Sequence, residues 1–254
     1  MLKLIRDTWL IFGSALRVML RNPAWVVFGL FQPICYMLLF APLLKNLAGV
    51  PGFPTGGAYN VFTPGLMMMM AIFGTGFAGF TVIGQLREGT IERLRVTPVN
   101  RLALMLGMIS VSLLNLLVQT AFLLVIGLLL GFRPDLGGLL LLVVLLLVGG
   151  LMMASCSYAV GLAVKDEGSL AAAVNLVALP LLLLSGIMLP LSFAPDILQN
   201  IAKANPFNYA VSASRALVNG HLGDVSVMQG FITFGVLALL ALFWVTRAVR
   251  KAAM

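Results

Sequence analysis

Six long apolar runs, separated by short polar interruptions, make up most of this chain. They lie at about 24–44, 59–84, 102–131, 138–164, 168–189 and 227–246, and no Asp, Glu, Lys or Arg falls inside any of them. A helix needs roughly 20 mostly apolar residues to cross about 30 Å of hydrocarbon while satisfying its own backbone polar groups. The pattern therefore predicts an all-α integral membrane protein with six transmembrane helices, organised as one domain over 1–254.

The polar stretches carry a different periodicity. At 100° per residue, Leu2, Ile5, Trp9, Phe12, Leu16 and Met19 fall in one sector, and Lys3, Arg6, Asp7, Ser14, Arg17 and Arg21 in the opposed one. This predicts an amphipathic helix over 1–22 that lies at the membrane interface. Its charges interrupt any signal-peptide core, and Asn22-Pro23 ends it because proline disfavours a helical conformation at the preceding residue. The segment 190–226 is too long for a bare connection. It predicts two short helices, around 197–201 and 209–218, with Asn219-Gly220 as the stop after the second.

Composition sharpens the class. The chain is 61% hydrophobic and 9% charged, against roughly a quarter charged in soluble domains. Of its 16 Lys and Arg residues, 12 fall on the side shared by the two termini: Lys3, Arg6, Arg17, Arg21, Arg87, Arg93, Arg95, Arg101, Lys165, Arg247, Arg250 and Lys251. Lys45, Arg133, Lys203 and Arg215 fall on the other. Basic residues in short loops stay on the cytosolic side, so both termini are expected there. That asymmetry, together with anionic lipid headgroups, accounts for the net charge of +8 without a nucleic-acid partner. Cys35 and Cys156 sit inside predicted spans as small hydrophobes, and no disulfide or metal site is expected.

One interruption is sharply bounded. Within 85–101, Gly89 and Thr90 can open a short helix and Thr97-Pro98 closes it, since proline breaks the hydrogen-bond ladder. Ile91 and Leu94 share a face, and Glu92 can pair with Arg95. A loop serving topology alone needs only basic residues. This one defines a two-turn helix with an apolar knob and charged flanks, presented to the cytosol.

The run Arg87-Glu88-Gly89-Thr90-Ile91-Glu92-Arg93-Leu94, followed by Thr97-Pro98, resembles the cytosolic coupling helix of type 2 ABC exporter permeases, in particular the daunorubicin-resistance branch. Leu184-Ser185-Gly186-Ile187-Met188-Leu189-Pro190, Phe193-Ala194-Pro195, Asn205-Pro206-Phe207 and Ser214-Arg215-Ala216-Leu217 resemble the end of the fifth span and the external re-entrant segment of the same family. The resemblance covers essentially the whole chain. It implies a permease that moves a hydrophobic or amphipathic substrate (a drug, an antibiotic or a lipid-like molecule) out of the cell on ATP hydrolysed elsewhere. The chain has no Gly-x-x-x-x-Gly-Lys-Ser/Thr phosphate loop, so ATP and Mg belong to a partner ATPase and no cofactor is expected here.

By the same resemblance, two ATPase copies dock on Arg87, Glu88, Gly89, Thr90, Ile91, Glu92, Arg93, Leu94, Arg95, Thr97 and Pro98, and a second copy of the permease completes the path. The turn Lys165-Asp166-Glu167-Gly168 is a candidate second contact. Phe193, Asn205, Pro206 and Phe207 are the outer-gate candidates. Pathway candidates are Met67, Met70, Ser112, Asn115, Gln119 and Asn175, although buried amides also serve as interhelical hydrogen-bond partners and methionines as packing. Separate permease and ATPase chains imply the plasma membrane of a bacterium or archaeon. A lipid-linked glycan exporter of the same family is a second reading of the cargo. An ion-coupled carrier or channel is the rival outside the family, and it lacks buried ionisable residues in the spans. An enzyme lacks positioned nucleophiles, acids and histidines there.

Overall fold

The computed structural model describes residues 2–21, 24–45, 57–89, 101–188 and 191–251. Among the described residues every regular element is helical. In chain order they are α1 (Leu2–Arg21), α2 (Ala24–Lys45), α3 (Gly57–Gly76), α4 (Gly79–Arg87), α5 (Arg101–Leu130), α6 (Leu136–Val164), α7 (Glu167–Leu183), a 3-10 turn (Leu191–Phe193), α8 (Asp196–Ala202), α9 (Pro206–Val218) and α10 (Val225–Lys251).

Among the described residues four stretches are long and apolar enough to cross a membrane: Gly57–Arg87, Ala103–Leu130, Leu136–Val164 and Val225–Val249. The other two expected spans coincide with α2, which holds Pro33 and Pro42, and with the shorter α7, whose interior holds Pro180. The helix at 168–189 stops earlier than its apolar pattern suggests. After Leu183 the chain turns through Gly186, whose φ of 73° only glycine adopts without strain.

α6 is the central post. It packs against α3, α4, α5, α7, α9 and α10, and it meets several of them through glycines. A Cβ on Gly138 would collide with the Leu217 carbonyl of α9, and one on Gly149 would press on the Phe234 ring of α10. Without a hydrophobic driving force inside lipid, such close backbone approach is how helices gain packing contact. The core gathers Phe62, Leu66, Leu142, Phe207 and Phe234, and Met67, Met68, Met69 and Met70 are all buried in it. The small residues Ala71, Thr75 and Gly79 of the second span are buried too, facing neighbours in the same protomer.

The amphipathic helix is present as α1, lying on α5. Its rotation corrects the sequence reading. Ile11 fits against Gly107 of α5, and Asp7, expected on the polar face, is 6% exposed, while Trp9, expected on the apolar face, is 72% exposed and stacks on Phe12 at 5.5 Å. The face that meets α5 is thus displaced from the apolar sector toward Asp7 and Ile11, and Trp9 is left outward, where an interface would take it.

Candidate functional site

The two ends of the bundle are built by different chemistry. At one end, α4 runs to Arg87, and Gly89 adopts a φ of 67° that turns the chain away. Glu88 and Gly89 bond back to Gly84 and Leu86 carbonyls. The remaining docking candidates, Thr90, Ile91, Glu92, Arg93, Leu94, Arg95, Thr97 and Pro98, lie outside the described residues.

The α6–α7 turn reaches the same place. Lys165 takes a left-handed φ of 57° to end α6, and its amide bonds the Gly161 carbonyl. Asp166 then caps α7, its carboxylate accepting from the Ser169 amide at 2.8 Å. Arg87 of α4 spans to this turn, with 3.0 Å to Glu167 Oε1 and 3.8 Å to Asp166 Oδ1. Hydrogen bonds from Ser169, and then the Arg87 charge, hold the Asp166 carboxyl below the usual carboxylate range. The start of the docking segment and the candidate second contact are thus one surface. Sequence reasoning named both without joining them, because 80 residues separate them.

At the opposite end, the outer-gate candidates knot together with residues that sequence reasoning quoted but did not single out. Asn205 is buried and serves two helices at once. Its Oδ1 accepts from the Phe207 amide at 2.9 Å, and its Nδ2 donates to the Leu181 carbonyl at 2.8 Å. It caps α9 at its start and satisfies a carbonyl left free at the end of α7. Pro206 occupies the first turn of α9, where its missing N–H costs nothing. Phe207 is fully buried, edge-on to Phe234 at 5.0 Å. Phe193 closes the 3-10 turn ahead of α8.

Arg215 is the residue the sequence reading missed. Counted on the external side and quoted only within the re-entrant motif, with no role assigned, it lies half-buried and donates to two backbone carbonyls, Val61 at 3.0 Å and Gly186 at 2.7 Å. It ties α9 to α3 and to the turn that ends α7. The signal was a basic residue inside an otherwise apolar helical stretch. Asn60 extends the knot: its amide donates to the Arg133 carbonyl and accepts from the Arg133 amide, each at 3.1 Å.

The pathway candidates are scattered. Met67 and Met70 are 0% and 2% exposed, inside the core. Ser112 shares a hydrogen bond with Tyr158 at 3.2 Å, and Asn175 donates to its own helix at Ala171 on an exposed face. Asn115 and Gln119, one turn apart on α5, each carry a buried carbonyl oxygen without a hydrogen-bond partner. Gln119 sits where α2 and α3 offer glycines; a Cβ on Gly74 would lie 3.2 Å from its Oε1. Among the described residues no group of three or more His, Cys, Asp or Glu could hold a metal.

Comparison with known proteins bears on this arrangement. Residues 6–219 match the ABC-2 type transporter family. The chain is 26% identical over 223 residues to a daunorubicin resistance ABC transporter permease protein of Streptomyces coeruleorubidus, covering 86% of this chain and 77% of that protein. It is 28% identical over 234 residues to a putative transport permease of Pyropia yezoensis, covering 87% and 78%. A probable doxorubicin resistance ABC transporter permease protein of Mycobacterium tuberculosis is 28% identical over 206 residues, covering 79% and 72%.

Proposed function

The chain belongs to the ABC-2 type transporter family and is the transmembrane permease subunit of an ABC exporter; on that premise we propose how it is driven and what it carries. A separate ATPase docks at 85–101, with Ile91 and Leu94 as the apolar contacts and Glu88, Glu92, Arg93 and Arg95 around them. Two such ATPases work with two copies of this permease in a plasma membrane, both termini cytosolic. The cargo is hydrophobic or amphipathic, in the class that the names of the drug-resistance relatives indicate.

The observation that carries this reading is the Arg87 clamp onto Asp166 and Glu167. A push on the docking segment enters through α4 and is delivered at once to the turn between α6 and α7. A path between protomers is favoured by the filled interior: the candidate lining residues Met67 and Met70 are packed inside one protomer. Gln119, 2% exposed, belongs to that same filled interior; Asn115, less deeply buried, is the polar candidate that remains for cargo, its unpaired acceptor suiting a donor group on an amphipathic molecule.

The test replaces Ile91 and Leu94 together with Asp. Charge driven into an apolar contact is unfavourable, so the variant is expected to reach the membrane in normal amount, lose the ATPase on copurification and lose export. Normal coupling of ATP hydrolysis to export in that variant would show the segment to be a topogenic loop.

A further inference from the structure

The second span is not one helix. Between α3 and α4 the hydrogen-bond ladder tightens: the amides of Ala78, Phe80 and Thr81 donate to the carbonyls of Thr75, Phe77 and Ala78 at 3.1, 3.0 and 3.1 Å. Each bond reaches back three residues instead of four. The Gly79 amide leaves the ladder altogether and donates to Ser157 Oγ of α6 at 2.8 Å, in a buried position. Helices kink where a side chain enters the ladder, and inside a membrane a broken helix persists only where protein groups re-satisfy its backbone. Here a single hydroxyl does so.

The two halves are held by different neighbours. α4 sits on α6 backbone to backbone. A Cβ on Gly79 would collide with the Ser157 carbonyl, and one on Gly161 would lie 3.0 Å from the Gly79 carbonyl. Its far end is clamped by Arg87 to the α6–α7 turn. α3 is anchored at the other end of the molecule, by Arg215 to Val61 and by Asn60 to Arg133. Thr75, just ahead of the break, spends its hydroxyl on the Ala71 carbonyl at 2.5 Å, a local back-bond of the kind that bends helices. Phe73, Phe77 and Phe80 stack across the break, at 6.5 and 5.4 Å between successive rings.

We propose that the break at Phe77-Ala78 is the articulation of the permease. α4 and the adjoining ends of α6 and α7 turn as one lever, α3 stands as the fixed post, and Ser157 is the positioning residue that keeps the span divided between them. Without the hydroxyl, the Gly79 amide has its nearest acceptors in its own helix, and satisfying it there straightens the span. A straight span carries any displacement at residue 87 into α3 and the opposite cap, instead of into the α6–α7 turn. The mechanical role rests on the docking proposed at 85–101; the hydroxyl's hold on the break does not.

The experiment uses the full-length permease with Cys35 and Cys156 replaced by alanine and spin labels on cysteines introduced at Glu88 and Leu222, both exposed. Ser157→Ala is expected to shift the distance distribution between the labels, while Ser157→Thr, which keeps the acceptor, retains the parent distribution. Loss of one buried hydrogen bond corresponds to about tenfold in the bent-to-straight equilibrium. Reconstituted with its ATPase, Ser157→Ala should move less cargo per ATP hydrolysed than the parent, in step with the fraction of straightened span. An unchanged distribution in Ser157→Ala overturns the proposal, and so does an equal shift in both variants, which would assign the effect to side-chain size. Failure of the docking reading shows separately, as normal coupling in the Ile91 and Leu94 double variant.

Discussion

Arg215 stands in a part of the sequence where a basic residue reads as a solvated, external charge, and the structure gives it an interior task. Its guanidinium serves two carbonyls on two different elements, which a planar fork can do and a point-charge ammonium cannot. Arg215→Lys is therefore expected to leave one carbonyl unpaired, at a cost of about 1–3 kcal/mol. For a chain of this size that lowers the unfolding midpoint by about 2–4 °C per kcal/mol, measurable on purified protein in detergent; a lysine variant that melts with the parent would remove Arg215 from the cap. Asn205 could have been read as a cap, because Asn-Pro at a helix start is a local signal, but the sequence offered it only as an outer-gate candidate and began the helix at 209. Its second bond, to Leu181 across 24 residues, was not legible, because nothing in a linear pattern marks which carbonyl a helix end leaves free. Asp7 misled for the same reason: helical periodicity assigns a residue to a face but does not say which face meets a neighbour.

Among the elements, the apolar runs were readable because lipid imposes a strict length and excludes charge. Breaks inside those runs were not. Gly76 and Gly79 are ordinary residues of a membrane helix, and the division of α3 from α4 depends on a hydroxyl 78 residues away. The start of α7 was open to reading, since Asp166 three residues before Ser169 is a recognisable cap, though the sequence first offered that turn as a surface contact. Its titration gives a prediction. The folded carboxyl is held below its unfolded value, so the cap contributes fully at neutral pH and its contribution is lost as pH falls through the depressed folded value. Hydrogen exchange at the Ser169 amide, normalised to its intrinsic rate, should lose protection on acidification in the parent. In Asp166→Asn, which keeps a neutral acceptor, protection should hold steady across the same range; parallel loss in both would place the acid sensitivity elsewhere.

At the scale of the whole molecule, orientation is the claim on which the docking reading depends, and it follows from the division of basic residues, 12 against 4. Cysteines introduced at Thr97 and Met254 should resist an impermeant thiol reagent in intact cells, whereas cysteines at Gly56 and Asn200 should label. Labelling of the first pair from outside would invert the protein and place the docking segment beyond reach of any cytosolic ATPase.

The two ends also differ in what dissolved salt can do to them. Both ion pairs among the described residues belong to Arg87, between side chains that are about half exposed. Exposed pairs of this kind weaken as mobile ions screen them, over a Debye length that shrinks to about 3 Å at 1 M. The opposite end is closed by amides and by an arginine bonded to backbone carbonyls, with no carboxylate in those contacts. Raising ionic strength should thus slacken the α4 clamp while leaving the α9 closure intact. In the proposed orientation, the salt-indifferent end would meet the outer medium and the salt-responsive joint would lie where a cell holds the electrolyte nearly constant.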